Sequence, residues 1–186
     1  IHRLMQLSNP VVRQAPAQIQ RYIGLVEQLR GEMGQGLYPG SPWFALQQLR
    51  ASDRATAFEL QPDVHEELKF NMRDDRLGIH ARDAYEGLFG VIPPKEKRGL
   101  VMIDPPYEME RRDFPQLVEL LIKAHQKWST GVFAVWYPIK DRAMIERFEK
   151  KMLKSGIRRQ LICELCVWPD DTPIGLNGCG LLIINP

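Results

Sequence analysis

The feature that most restricts how this chain folds is a recurring order of short apolar runs and amphipathic stretches. Residues 55–60, 78–81, 99–103 and 131–137 are apolar runs of strand length. Between and after them, residues 62–73, 83–89, 114–128 and 141–154 repeat apolar positions at helical spacing. Strands separated by single helices run parallel and are joined by right-handed crossovers, which predicts an α/β fold with a mostly parallel, doubly wound sheet. The last two runs, 160–168 and 178–184, have only a polar loop with Pro and Gly between them and predict a terminal antiparallel hairpin.

Ahead of this series, residues 17–29 place Ile19, Ile23 and Val26 at helical spacing, and Pro16 suits the first turn. The following Gly31-Glu32-Met33-Gly34-Gln35-Gly36 has the order G-x-x-G-x-G and comes after a helix, not a strand, so it reads as a helix stop and linker rather than a phosphate loop. Tyr38-Pro39-Gly40-Ser41-Pro42 then combines a turn with Ser41 as an N-cap and Pro42 at the first helical position, opening a helix to about residue 49. The expected organisation is a helical segment and linker over 1–37 and an α/β core over 38–186.

At 186 residues and 44% hydrophobic, the chain can bury one sizeable core. No run approaches the roughly 18 apolar residues of a membrane helix, and no charged-then-apolar leader opens it, so the expectation is a cytoplasmic protein without membrane contact. It begins at Ile1 and ends on Asn185-Pro186 directly after a strand-like run, which gives the expectation of truncation at both ends. Three cysteines make no disulfide framework and fit a reducing compartment. Net charge of +2 and a pI near 8.5 fall short of the pI above about 9 that marks a nucleic-acid footprint by itself.

In a doubly wound sheet, ligands sit outside the carboxyl ends of the strands, and there the run 99–103 delivers Asp104-Pro105-Pro106-Tyr107. Two adjacent prolines fix φ and remove two backbone donors, leaving a rigid turn that presents acceptors and an aromatic ring. An adenine amino group is a poor nucleophile because its lone pair is delocalised into the ring. Two acceptors, the Asp104 carboxylate and the Pro105 carbonyl, suit both of its N–H groups and favour a lone pair aimed at an incoming methyl. Tyr107 is expected to stack on the base, and a base in a duplex has first to be flipped out. The competing reading of the four residues is a strand-ending turn with a packed tyrosine.

D-P-P-Y after the fourth strand is the signature of amino-methyltransferases. The wider run Gly99-Leu-Val-Met-Ile-Asp-Pro-Pro-Tyr-Glu-Met109, with Tyr38-Pro-Gly-Ser-Pro42, Trp136-Tyr-Pro138 and Ser155-Gly-Ile-Arg158, resembles the RlmJ family of bacterial 23S ribosomal RNA adenine-N6 methyltransferases over most of the chain. Members have also been described as proteins for using external DNA as a nutrient. The resemblance implies a Rossmann-like class I methyltransferase fold, S-adenosylmethionine as cofactor, 23S ribosomal RNA as partner and a monomer. The family's N-terminal segment, with a glycine-rich cofactor loop after the first strand, has no counterpart here, which gives the expectation that this portion alone neither binds cofactor well nor turns over.

Beyond the motif, Glu59 ends a strand where a carboxylate can accept from both ribose hydroxyls, and the resemblance favours this over a solvated glutamate. Asp83 follows the next strand, where it can accept from the cofactor's adenine amine while the Ala84 N–H meets a ring nitrogen; a helix N-cap is the competing reading. Ser41 corresponds to a family cofactor contact, and Asp104 borders the cofactor as well as the base. Trp136, Tyr137 and Pro138 close the neighbouring strand, where they wall the base pocket or pack in the core. Arg111 and Arg112 follow the motif in a loop and suit substrate phosphates. Lys95, Glu96, Lys97 and Arg98 enter the strand at its opposite end and read as a solvated turn.

The basic stretch 140–159 reads first as an ordinary amphipathic face, with RNA contact as the second reading. Cys163-Glu-Leu-Cys166 has C-x-x-C spacing but lies in a strand, where residues three apart face opposite sides. His65, His80 and His125 show no ligand spacing, nor does His2, and no metal site is expected. Three other functions compete with RNA adenine methylation: DNA adenine methylation, non-catalytic nucleic-acid binding in DNA uptake, and methylation of a protein glutamine, whose turn usually begins with Asn.

Overall fold

A computed structural model describes residues 9–169, 172 and 175–186. His2 lies outside the described residues. The described chain divides into two compact units, residues 1–84 and 85–186. The expected boundary at residue 37 falls inside the first unit, a few residues after its long helix ends.

In the first unit the short helix α1 (Pro10–Arg13) leads into α2 (Ala17–Met33), which buries Ile23, Val26 and Leu29 and stops at Gly34, whose φ is 130°. That positive φ is one a side chain resists, so the G-x-x-G-x-G stretch does end a helix. Helix α3 (Ser41–Leu46) follows, then β1 (Ala55–Glu59), α4 (Pro62–Asn71) and β2 (Leu77–Ala81). β1 and β2 pair in parallel from Ala55↔Leu77 to Glu59↔Ala81. Arg76 braces the approach to β2: its guanidinium donates to both Asp74 oxygens at 2.9 and 2.6 Å and to the Leu49 carbonyl at 3.1 Å. These bonds hold the Asp74 carboxyl down to about 2.

The second unit carries α5 (Ala84–Val91, beginning at the boundary), β3 (Leu100–Ile103), α6 (Glu110–Lys127), β4 (Val132–Ile139), α7 (Arg142–Leu153), β5 (Gln160–Cys166) and β6 (Gly178–Ile184). Its sheet has the order β3-β4-β6-β5, parallel at β3·β4 and antiparallel at both β6 contacts. The α/β class and the terminal hairpin are therefore as expected. Within the units the strands form a two-stranded and a four-stranded sheet.

Alternation along β4 explains the second unit's core. Phe133, Val135, Tyr137 and Ile139 are at most 2% exposed and stand on one face with Leu182 and Ile184 of β6. Helix α6 lays Phe114, Leu117, Val118, Leu121 and Ala124 on that core at i, i+3, i+4 spacing, and α7 adds Ile145, Phe148 and Met152. The Phe114, Tyr137 and Phe148 rings meet one another with centroids 5.2 to 6.5 Å apart.

Gly180 of β6 lies opposite Tyr137, and a Cβ there would stand 2.1 Å from the Tyr137 ring. The ring occupies the space a side chain would need. Gly180→Ala is expected to force Tyr137 out of its rotamer and destabilise the unit by about 1–3 kcal/mol, the usual cost of overpacking, read as a lower thermal midpoint of the full-length protein. A midpoint equal to wild type would show that the ring has room to move.

Candidate functional site

β3 ends at Ile103, in register with Val135, so β4 continues past it through Trp136 to Ile139. The turn Asp104 to Tyr107 stands at that step. Pro105 is buried while Asp104 and Pro106 reach solvent. Neither proline has an N–H, so the middle of the turn carries no backbone donor. Side chains fasten it instead. The Tyr107 hydroxyl donates to the Trp136 carbonyl at 2.6 Å, one residue past the last β3·β4 pair. Beyond the turn, the Met109 N–H donates to Asp113 Oδ2 at 3.1 Å, and the Glu110 carboxylate pairs with Lys140 Nζ at 2.8 Å, tying the start of α6 to the end of β4.

Tyr107 is 3% exposed and has a φ of 53°, a left-handed conformation that costs a non-glycine residue about 1–2 kcal/mol. Its ring packs against Phe114 at 5.2 Å and edge-on to Trp136 at 6.1 Å. Burial pushes its phenol far above the ordinary tyrosine range, so it stays a donor at every working pH. The Asp104 carboxylate is different. Among the described residues it takes part in neither a hydrogen bond nor an ion pair, and partial withdrawal from water raises its pKa. It is an acceptor without a protein donor.

The remaining expected positions separate. Trp136 is half-buried, with its ring beside Tyr107. Tyr137 does not wall a pocket: it is fully buried in the core, and its hydroxyl donates to Glu164 at 3.0 Å. Adjacent strand residues face opposite sides, so only one of the pair can line the site. Arg111 and Arg112 lie in the first turn of α6 rather than in a loop, because the Asp113 carboxylate reaches back to the Met109 N–H and starts the helix early; both remain exposed. In the basic stretch, Lys140 pairs with Glu110, Arg142 with Glu164 at 2.6 Å and Lys150 with Glu146 at 3.0 Å, the behaviour of a solvated face. Cys163 is exposed and Cys166 half-buried on β5.

In the first unit, Glu59 closes β1, and its Oε1 accepts from the Gln61 N–H at 2.8 Å, which orients the carboxylate and leaves Oε2 open to a second donor. Asp83 immediately precedes α5, and Ala84 is that helix's first residue. Its N–H precedes the helical ladder and has no intrahelical acceptor. Ser41 is not the N-cap of α3: Gly40 takes that position in extended conformation, and exposed Ser41 is the first helical residue.

Sequence reasoning missed Glu164 and Asn177. Glu164 joins Tyr137 to Arg142 across α7 and β5. Asn177 is 7% exposed, accepts from the Trp168 N–H at 2.9 Å and donates to the Trp168 carbonyl at 2.8 Å, pinching the neck of the β5–β6 hairpin. Both act through partners distant in sequence, and no local pattern marks them.

A family model described as "Ribosomal RNA large subunit methyltransferase D, RlmJ" matches residues 1–186. Curated relatives named "Ribosomal RNA large subunit methyltransferase J" from Haemophilus influenzae and Escherichia coli are 36% and 34% identical to it, each over 92% of this chain. The chain spans 61% of the length of each. A crystal structure of a Legionella pneumophila protein superposes with a TM-score of 0.84 at 34% identity, over 96% of this chain and 67% of that one. A human methyltransferase 10 domain containing protein shares the fold at a TM-score of 0.52 and 10% identity, over 86% of this chain and 93% of its own.

The raised pKa of Asp104 carries a stability consequence. Its folded pKa lies above its unfolded one, so stability falls as pH rises from the unfolded value through the folded one, and the loss persists at neutral pH. Asp104→Asn, which cannot ionise, is expected to raise the thermal midpoint of the full-length protein at pH 7 and to change it less at pH 3. An equal effect at both values would remove desolvation as the cause.

Proposed function

The chain belongs to the RlmJ family of ribosomal RNA large subunit methyltransferases, and from this premise we propose that the full-length protein transfers a methyl group from S-adenosylmethionine to the N6 amine of an adenine in 23S ribosomal RNA. The observation that supports it most directly is the Asp104 carboxylate, an acceptor without a protein donor on a braced turn at the carboxyl end of β3.

The reaction needs an amine held with its lone pair out of conjugation. Asp104 and the Pro105 carbonyl accept the two N–H groups and hold the nitrogen still, which is an entropic and electrostatic contribution rather than a covalent one. S-adenosylmethionine supplies an electrophilic methyl on a sulfonium sulfur. The amine nitrogen held by Asp104 and the Pro105 carbonyl would take that methyl as its bond to sulfur is given up, and one N–H proton would leave to water. Glu59 suits the cofactor's ribose hydroxyls through Oε2, and Asp83 with the Ala84 N–H suits its adenine edge. Trp136 presents a half-buried ring to the base, and the exposed Arg111 and Arg112 suit neighbouring phosphates. This assigns Asp104, Pro105, Pro106 and Tyr107 to the catalytic turn. A bacterial ribosomal RNA enzyme of this kind works in the cytoplasm, and among the described residues no helix is long and apolar enough to cross a membrane.

Incubating the full-length protein with labelled S-adenosylmethionine and deproteinised 23S ribosomal RNA, DNA or protein extract tests the reading. Label is expected in RNA, as N6-methyladenosine, and Asp104→Ala is expected to lower kcat by about a hundred- to a thousandfold, as for the loss of a principal transition-state contact. Label that appears only in DNA or protein, or that persists in Asp104→Ala, sinks it. The carboxylate has to be ionised to accept, so kcat is expected to fall at low pH along a limb raised from the ordinary aspartate value. Asp104→Asn keeps one acceptor oxygen and is expected to be slow but free of that limb.

A further inference from the structure

An aromatic residue that ends a D-P-P-Y turn invites the reading of a platform for the target base, and Tyr107 does not have the exposure for it. At 3% exposed, with Phe114 at 5.2 Å and Trp136 at 6.1 Å, its ring already has aromatic neighbours and offers no free face. Its hydroxyl is engaged too, donating to the Trp136 carbonyl at 2.6 Å.

The placement of that bond matters more than its strength. The β3·β4 ladder ends at Ile103↔Val135, and the next residues of the β3 strand line are Asp104 and two prolines. Pro105 and Pro106 have no N–H with which to continue the ladder. The Tyr107 hydroxyl reaches a β4 carbonyl beyond the ladder's end, so a side chain supplies the donor that the backbone has lost. Tyr107 makes this bond from a left-handed φ of 53°, a strained conformation that persists only where the surroundings hold it. On the far side, Asp113 on the Met109 N–H fixes where the chain turns into α6. Tyr107 is thus the near clamp and Asp113 the far clamp of a turn whose middle has no donors of its own.

We propose that Tyr107 is a positioning residue: its hydroxyl latches the Asp-Pro-Pro turn to the Trp136 carbonyl of β4, holding the Asp104 carboxylate and the Pro105 carbonyl at the spacing one amine nitrogen needs. The proposal rests on amine methylation as the reaction. It assigns to the hydroxyl what the base-platform reading assigns to the ring. The two make opposite statements about phenylalanine, which keeps the ring and removes only the latch.

Tyr107→Phe and Tyr107→Leu in the full-length protein separate them, with Asp104→Ala as the control for the reaction itself. Tyr107→Phe is expected to lower kcat by about tenfold, close to 1.4 kcal/mol of transition-state stabilisation, with the KM for 23S ribosomal RNA within about twofold of wild type. Its acid limb is expected to move down toward the ordinary aspartate value, because an unlatched Asp104 is better hydrated. A merely structural tyrosine would lower the thermal midpoint and leave that limb in place. Wild-type kcat in Tyr107→Phe, together with a large rise in KM for Tyr107→Leu, overturns the latch in favour of the platform. Because Asp104→Ala reports on amine methylation independently, either result can be read without doubt about which statement has failed.

Discussion

The second unit depends on a stagger: β4 runs four residues past the last residue of β3 that pairs with it. An overhanging strand has exposed acceptors and donors on the side its neighbour has left, and these must be met. On that side the Trp136 carbonyl receives the Tyr107 hydroxyl, while on the opposite side, toward β6, the Ile139 carbonyl receives the Asn177 N–H at 2.9 Å. Lys140, the next residue, anchors Glu110. The turn after β3, the first turn of α6 and the base of the β5–β6 hairpin are thereby all referred to one strand. Moving β4 would displace every one of them together, which is what a site requiring fixed relative spacing needs.

Two consecutive prolines are an unusual way to build such a site. They lower the conformational entropy of the unfolded chain and hold a fixed curvature, yet they deprive the turn of donors. The turn's rigidity then has to come from its flanks. Tyr107 and Asp113 fill that need with side-chain bonds, each buried enough for the bond to count, at 3% and 8% exposure. A turn fastened by its own N–H groups would use acceptors internally that an amine has to find free.

Much of this was legible in the residues. The strand bounds follow from runs of apolar residues, and β6 over Gly178–Ile184 coincides with its apolar run. The hairpin followed from the lack of a helical stretch between the last two runs. Parity was legible as well and argues against placing Trp136 and Tyr137 on one wall, since neighbours in a strand alternate faces. Ser41 misled because serine is a good cap in general, whereas Gly40 is the residue that adopts the extended cap conformation. The Tyr107 bond, the Glu164 bridge and the Asn177 pinch join residues 29, 27 and 9 positions apart and depend on the completed sheet, so local pattern had no access to them. The division of strands between two sheets is likewise a property of pairing, which periodicity does not encode.

Asp104 shows why a site of this kind resists being read as mere structure. An exposed surface aspartate would be hydrated or ion-paired, and a buried structural one would be satisfied by donors, as Asp113 is by the Met109 N–H. Asp104 reaches solvent, yet partial desolvation raises its carboxyl and, among the described residues, none donates to it. Holding an acceptor in that condition costs the fold stability that an asparagine would return.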